Sequence, residues 1–272
     1  MPSDNRATQL VYWQNRPLCC RYLVVLSEVL RVQVEEEGTV RDRMARWTLG
    51  VLPDGQYEVL GVWPEPVPGA AGWQDVFEDL KVRGVERIQF VASSEPAEAL
   101  ADVRAAYPGV TVLPSFGQLL RQSLAQVAPR HRRSGANALS VLREADGAQA
   151  AKVALSDLSA GWWGATYPAV VDRWRAAVEH LGPLYDSAPR VRRIVVSGDD
   201  AAQRLHRSLG LAVGRQGCFA SPAVVTSFIV GALERAERSF VSRGTVREAC
   251  IEHRTGSANR ASSRSRVEAL GL

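Results

Sequence analysis

The sequence predicts an α/β protein with a mixed β-sheet, and the stretch 59–85 is the main reason. It begins as an apolar run rich in β-branched residues, which is typical of a strand, and then passes through a proline-rich turn. From Trp73 to Leu80 the apolar side chains recur at i, i+3, i+4 and i+7, which predicts a helix with one buried face. Gly84 is placed to end that helix. With the returning apolar run at 87–92, the stretch forms one α/β unit.

Three strands are expected before this unit. Apolar segments at 21–34, 41–51 and 56–63 are separated by a Glu-Glu-Glu-Gly turn and a Pro-Asp-Gly turn. Because both turns are short, successive strands should pair as antiparallel hairpins.

After the unit, strands alternate with helices. Helices are predicted at 96–107 and 117–127, with a strand at 110–113 between them. The resulting order β-β-β-α-β-α-β-α places antiparallel strands first and helical crossovers later, which indicates a mixed sheet.

Residues 134–188 differ in character, because strand patterns stop and helical spacing dominates. Trp162, Trp163 and Trp174 occur here among arginines and alanines, and we expect them to pack in a core rather than to stack on nucleic-acid bases. A final segment at 194–240 closes with a predicted helix.

The composition is that of a globular protein, with 272 residues, 46% hydrophobic and 23% charged. No apolar run near the N-terminus is long enough to span a bilayer, and no signal-peptide pattern is present, so the expected location is the cytoplasm, without membrane contact. The four cysteines form no CxxC pair, which argues against a structural zinc site.

Positive charge is concentrated in two places. The segment 254–266 carries four arginines and no acid, and Arg130, Arg132 and Arg133 form a second cluster after an apolar helix. Both are suited to contacts with phosphates, and both are equally typical of solvated surface.

Several short sequence motifs, taken together, indicate a protein family. They are Leu60-Gly61-x-Trp63, Gly69-Ala70-x-x-Trp73, Leu80-Lys81-x-Arg83-Gly84-Val85, Tyr167-Pro168-Ala169-Val170-Val171-x-x-Trp174 and Leu205-His206-Arg207-Ser208-Leu209. Over about residues 22–240 the chain resembles the mutator-type bacterial transposases through these phrases. The resemblance implies a ribonuclease H-like fold with an all-helical insertion, and DNA as a partner.

The resemblance also divides the chain. It implies a leader (1–20), a ribonuclease H-like core (21–133), a helical insertion (134–190) and C-terminal helices that complete the core (191–241). The polar, arginine-rich composition predicts that the remaining residues form a basic, disordered tail (242–272). The leader is too short for the family's N-terminal DNA-binding region, which we expect to be absent.

Transposases of this kind hold two divalent metal ions with three carboxylates. The resemblance assigns the first two positions to Glu28 and Ser94. It places the third at the start of the helix that bears Leu205–Leu209, on Gln203 or, with the register shifted by one, on Ala202, so that one formal charge stands where three are required. The family's Cys-x-x-His pair aligns with Ser115 and Gln118. We therefore expect a degenerate catalytic triad with no cofactor, and Mg²⁺ only if the triad has been rebuilt.

A rebuilt triad could use Glu28 with Glu95 and Asp200, which lie within a few residues of the family positions. Alternatively, Glu95 and Asp200 are acids at helix N-termini, favoured by the helix dipole.

Three hypotheses about function remain open. In the first the chain binds DNA or an intact transposase without cutting, in the second it cuts DNA through the shifted carboxylates, and in the third it is a transposon remnant without function. Arg130, Arg132, Arg133 and Arg207 are the candidate DNA contacts, and a second copy of the chain, in a homo-oligomer, is a further candidate partner.

Overall fold

The computed structural model describes residues 11–64, 72–94 and 96–241. Glu95, the Gly69-Ala70 phrase and the basic tail 242–272 lie outside the described residues.

The sheet is mixed, as predicted, and its strand order is β3-β2-β1-β4-β5. The strands are β1 (Arg21–Glu36), β2 (Thr39–Val51), β3 (Tyr57–Pro64), β4 (Arg87–Ser93) and β5 (Thr111–Pro114). The first three pair antiparallel, and β4 and β5 join in parallel beside β1. This arrangement confirms the predicted fold class and is that of a ribonuclease H-like sheet.

Helices connect and follow the strands. They are α1 (residues 11–15), α2 (Trp73–Val82), α3 (Pro96–Ala106), α4 (Phe116–Ala125), α5 (Arg132–Arg143), α6 (Ala148–Ala160), α7 (Trp162–Thr166), α8 (Pro168–His180), α9 (Gly182–Tyr185), α10 (Pro189–Gln216) and α11 (Pro222–Val241). A 3-10 turn at Pro129–His131 precedes α5, and the short strand β6 (Cys218–Phe219) lies between α10 and α11. The predicted strands and helices of the sheet region are confirmed to within about three residues.

Two apolar layers cover the sheet. One face packs against α2 and α3 through residues such as Trp73 and Phe77. The other face packs against α10, α11 and the helical region, and Trp47 and Trp174 belong to that larger core. The strongly patterned helix α2 thus buries one side of the sheet, as its spacing predicted.

Helix α10 lies close against the sheet because of Gly198. A Cβ at this position would stand 2.8 Å from Val51 Cγ2 and 3.1 Å from Leu26 Cδ1. The glycine therefore allows α10 to pack closely against the sheet. We expected Gln203 at the start of a helix, but it lies in the middle of α10, which runs unbroken from Pro189 to Gln216.

Strand β6 was not predicted, since two residues carry too little pattern. It pairs in parallel with β1 at Gln33 and Val34, beyond the point where β4 ends. Strand β1 is therefore extended past β4, and the two strands separate just after Ser27 and Ser93.

No helix of the described chain is both long and apolar enough to cross a membrane.

Candidate active site

The candidate site lies where the parallel strands end. Ser94 N donates to Ser27 O at 3.2 Å, and Ser115 N donates to Ser93 O at 3.1 Å. The carboxyl ends of β4 and β5 therefore lie beside the middle of β1, where β1 and β4 separate, and α/β proteins commonly place their ligands at the carboxyl ends of parallel strands. Glu28 follows Ser27 directly and brings a carboxylate to this point of the sheet.

Two of the three predicted triad positions are in contact. Glu28 is only 2% exposed, and its Oε1 accepts a hydrogen bond from Gln203 Nε2 at 2.6 Å. Its Oε2 accepts one from Arg121 Nη2 at 3.3 Å. Both carboxylate oxygens are thus occupied by donors from α10 and α4.

The side chain of Gln203 fills the centre of the site. Its Nε2 also contacts Ser115 Oγ at 3.1 Å, while its Oε1 is buried without a hydrogen-bond partner among the described residues. A Cβ on Gly117 would stand 2.1 Å from Gln203 Cγ, so that the glycine leaves the space that Gln203 occupies. The amide is held by packing as well as by hydrogen bonds.

Asp199 is a carboxylate of the site that the sequence analysis missed. It lies one helical turn before Gln203 on α10 and is 3% exposed. Ser115 Oγ donates to its Oδ1 at 2.7 Å, and Gly117 N donates to its Oδ2 at 2.8 Å. The spacing of four residues from Gln203 was the available signal, because residues i and i+4 share a helix face.

His206 closes the site from the side of β2. Its ring stacks on Trp47 with 6.4 Å between centroids, and its Nδ1 lies 3.7 Å from Glu28 Oε2. Burial, together with the nearby Arg121, lowers the pKa of His206 from 6.5 to about 4. The histidine is therefore neutral at physiological pH, and its contact with Glu28 is not an ion pair.

The carboxyl groups of the site hold their protons unusually well. Burial raises the pKa of Glu28 from 4.5 to about 7, against the lowering influence of Arg121. Burial also raises the pKa of Asp199, although its hydrogen bonds from Ser115 and Gly117 oppose this. At neutral pH the cluster consequently carries less negative charge than its composition suggests.

These shifts predict a pH-dependent effect of Glu28→Gln. Between about pH 4.5 and 7 the folded protein keeps a proton on Glu28 that the unfolded chain releases, so the contribution of Glu28 to stability falls as pH rises. Glutamine does not ionise, so the variant keeps a constant contribution at this position. The free energy of unfolding of the variant minus that of the parent should therefore rise by up to about 3 kcal/mol from about pH 4.5 to 7. Urea unfolding of both proteins at several pH values measures the difference.

Taking the difference between the two proteins removes the opposing contribution of His206. The contribution of His206 to the free energy of unfolding decreases as the pH falls from 6.5 towards 4, and His206 is present in both proteins. A difference that stays constant between about pH 5 and 8 would mean that Glu28 ionises normally in the folded state.

Of the other predicted site residues, Ser94 adjoins the site through its bond to Ser27 O, Asp200 is paired with Arg143, and Glu95 lies outside the described chain. Ser94 is partly buried, and its Oγ finds no hydrogen-bond partner within the described ranges. Asp200 is bound by both terminal nitrogens of Arg143, at 2.8 and 2.6 Å. Since Asp200 lies in the middle of α10, its interpretation as an acid at a helix N-terminus is wrong.

The candidate DNA contacts form two exposed groups. Arg130, Arg132 and Arg133 lie on the 3-10 turn and at the start of α5. Arg207 lies one turn beyond Gln203 on α10 and lines a cleft that Arg121 and Arg143 also line. The cleft adjoins the candidate active site.

The residues present do not fit a pair of divalent metal ions. Magnesium prefers carboxylate, carbonyl and water oxygens, whereas Gln203 turns its NH₂ group towards Glu28. Ser94, which the resemblance assigns to the second carboxylate position, offers a hydroxyl, and no group of three or more His, Cys, Asp and Glu residues in the described chain could hold a metal ion.

Comparison with known proteins gives a consistent result. Residues 3–242 match the family described as "Transposase, Mutator family". The transposase for insertion sequence element ISRM3 of Rhizobium meliloti (strain 1021) is 35% identical over 208 residues, which are 76% of this chain and 52% of that protein. A probable transposase for an insertion sequence element of Corynebacterium diphtheriae is 28% identical over 218 residues, 80% of this chain and 63% of that protein.

A shorter similarity is to the transposase for IS256 in transposon Tn4001 of Staphylococcus aureus. It is 28% identical over 100 residues, which are 36% of this chain and 26% of that protein. The chain spans about half the length of the ISRM3 transposase. The family match is also longer at both ends than the resemblance read from the motifs, which covered about residues 22–240.

Proposed function

The chain belongs to the mutator family of transposases, and from that premise we propose that it binds DNA without cutting it. It keeps the ribonuclease H-like sheet of a strand-transfer enzyme and uses the exposed arginines around its degenerate site to hold the phosphate backbone. The metal-dependent chemistry has been replaced by a closed hydrogen-bonded cluster.

The contact between Gln203 and Glu28 is the observation that carries this proposal. The amide donates at 2.6 Å to the carboxylate that would have to bind metal. An amide NH₂ group does not coordinate Mg²⁺, and this one is bonded to Oε1, one of the two Glu28 oxygens that could do so. Arg121 supplies a positive charge at the other carboxylate oxygen, which a divalent cation would have to displace.

The distribution of charge supports binding to DNA. Residues 103–143 contain six arginines and no Asp or Glu. Arg121 on α4 and Arg143 on α5 line the cleft beside Gln203, Arg130, Arg132 and Arg133 lie between them in sequence, and Arg104 lies on α3. A surface with this bias attracts phosphates, and its affinity should fall steeply with salt.

The alternative with shifted carboxylates receives no support from Asp200, because Arg143 neutralises it. If the site were active, Asp199 would be the better candidate, since it shares the buried cluster with Glu28.

Isothermal titration of MnCl₂ into the purified chain tests the loss of metal binding, and we expect no saturable heat. Glu28→Ala and Asp199→Asn are titrated in parallel. Saturable binding that either substitution abolishes would overturn the loss of metal chemistry and favour a rebuilt active site.

Fluorescence anisotropy with a labelled DNA duplex over a series of salt concentrations tests the proposed binding to DNA. The logarithm of the association constant should fall linearly with the logarithm of salt concentration. Absence of any salt-sensitive affinity in a cooperatively unfolding protein would contradict DNA binding, and loss of cooperative unfolding would favour a non-functional remnant.

A further inference from the structure

The sequence predicted that Trp162 packs in the core, but this prediction is wrong, because Trp162 lies at the surface. It is 52% exposed, whereas Trp174 of the same helical region is 1% exposed. About half of the Trp162 side chain is therefore accessible to a ligand, and tryptophan is enriched at interfaces because its large ring contributes strongly when it is buried there.

The buried side of the Trp162 ring packs against other aromatic side chains, which fix its position. It packs edge-to-face on Trp163, with 4.9 Å between centroids, and edge-to-face on His131, at 5.0 Å. Tyr167 stacks on Trp163 at 5.5 Å, and its hydroxyl contacts His131 Nδ1 at 2.8 Å. Gly135 of α5 allows close contact with Trp163, since a Cβ there would stand 3.0 Å from Trp163 Cη2.

Arginines flank the histidine on which Trp162 packs. Arg130 and Arg132 are its sequence neighbours, Arg133 follows, and all three are exposed. The side chains of Arg130 and Arg133 form no hydrogen bond or ion pair with other described residues, so their charges are available to a ligand. We call Trp162, Arg130, Arg132 and Arg133 the aromatic-basic patch.

We propose that the aromatic-basic patch binds an unpaired DNA strand, with one base stacked on Trp162 and neighbouring phosphates bound by the three arginines. The inference rests on the proposed DNA-binding function and adds the binding surface and the form of the DNA. An exposed aromatic ring within a basic surface suits single strands, because their bases present free faces, whereas the bases of a duplex stack on one another.

Binding of a labelled oligothymidine and of a labelled duplex is measured by fluorescence anisotropy for the full chain and for Trp162→Ala. We expect Trp162→Ala to bind the single strand roughly ten- to a hundredfold more weakly, with a much smaller change for the duplex. Trp162→Phe, which keeps a ring for stacking, should retain most of the affinity.

Two exposed residues outside the patch serve as matched controls. Tyr12→Ala removes an aromatic ring that is 75% exposed on α1, and Arg87→Ala removes an exposed arginine on β4. Neither should change affinity for the single strand. The triple alanine variant of the patch arginines should lower the salt dependence by about 0.7 in log–log slope for each phosphate that is no longer bound.

Each outcome decides the proposal. Unchanged single-strand affinity in Trp162→Ala, or an equal decrease of affinity in the control variants, overturns the patch while leaving the proposed function standing. Tighter binding of oligouridine than of oligothymidine overturns the assignment to DNA. Failure of the full chain to bind either single strand or duplex overturns the proposed function as well.

Discussion

Replacing Glu237 with alanine is expected to lower the free energy of unfolding by about 3–5 kcal/mol, because it leaves a buried arginine without its counter-charge. Glu237 Oε1 accepts from Arg16 Nη2 at 2.9 Å and from Val59 N at 3.1 Å, and its Oε2 accepts from Trp13 Nε1 at 3.0 Å. Arg16 is only 4% exposed. Urea unfolding monitored by circular dichroism measures the loss.

Glu234→Ala is the matched control on the same helix, about one turn away. Its side chain is 36% exposed and its ion pair with Arg238, at 3.5 Å, lies at the surface. Such a pair contributes at most about 1 kcal/mol, and the variant should remain close to the parent. Equal losses of stability in the two glutamate variants would contradict a special role for the buried pair.

The Arg16–Glu237 pair has a second role, because both side chains also bind backbone groups of β3, the edge strand of the sheet. Val59 N donates to Glu237 and Val59 O accepts from Arg16 Nη2 at 2.5 Å. Gln14 binds both backbone groups of Val62 in the same way, at 3.0 and 3.1 Å. Side chains thus satisfy polar groups of β3 that an exposed edge strand would offer to another chain.

A double variant separates these two roles. Replacing a buried ion pair by apolar residues is often neutral or stabilising. In this chain Arg16→Met combined with Glu237→Leu should stay destabilised, because the N–H and C=O of Val59 would remain buried without partners. Recovery of parental stability in the double variant would show that the edge finds other partners.

The sheet could be predicted because its patterns are local. The spacing from Trp73 to Leu80 specifies one buried face, and the turns between β1, β2 and β3 specify their pairing. The Arg16–Glu237 pair could not be predicted, because its members lie 221 residues apart and nothing near either residue reports the other.

The candidate site was predictable only in part, for the same reason. Family motifs assigned Glu28 and Gln203 to the site, and these two residues are in contact. Asp199 escaped because α10 was expected to begin later, so that its face one turn before Gln203 was not considered. The exposure of Trp162 also depends on how α7 packs against its neighbours, which periodicity over five residues does not encode.

Gln203→Glu is expected to destabilise the protein strongly in the absence of metal and to make its stability depend on metal. The new carboxylate oxygen would stand where Gln203 Nε2 now donates, 2.6 Å from Glu28 Oε1. Two buried carboxylates at that distance cannot both be ionised, so one must take up a proton. At about pH 8 with a chelator, we expect a loss on the order of 3 kcal/mol.

Lower pH and added metal should each relieve this repulsion. Stability lost at about pH 8 should return as the pH falls towards 5, because one proton shared between Glu28 and the new glutamate removes the second charge. Manganese at about a hundred times its dissociation constant should return about 2.7 kcal/mol if the two carboxylates form a site. Thermal unfolding in chelator between about pH 5 and 8 measures the recovery with pH, and thermal unfolding in MnCl₂ at about pH 8 measures the recovery with metal.

Gln149→Glu controls for the change of charge alone, since Gln149 is exposed on α6 and surface substitutions of this kind stay within about 0.5 kcal/mol. The parent chain should unfold at the same temperature with and without manganese. If manganese stabilised the parent as much as the variant, Gln203 would not be the residue that closes the site. If the variant showed neither effect, the contact between Gln203 and Glu28 could not be what excludes metal in the proposed function. Only a variant that is unstable in chelator and recovers in metal supports the proposal that this one side chain excludes metal from the site.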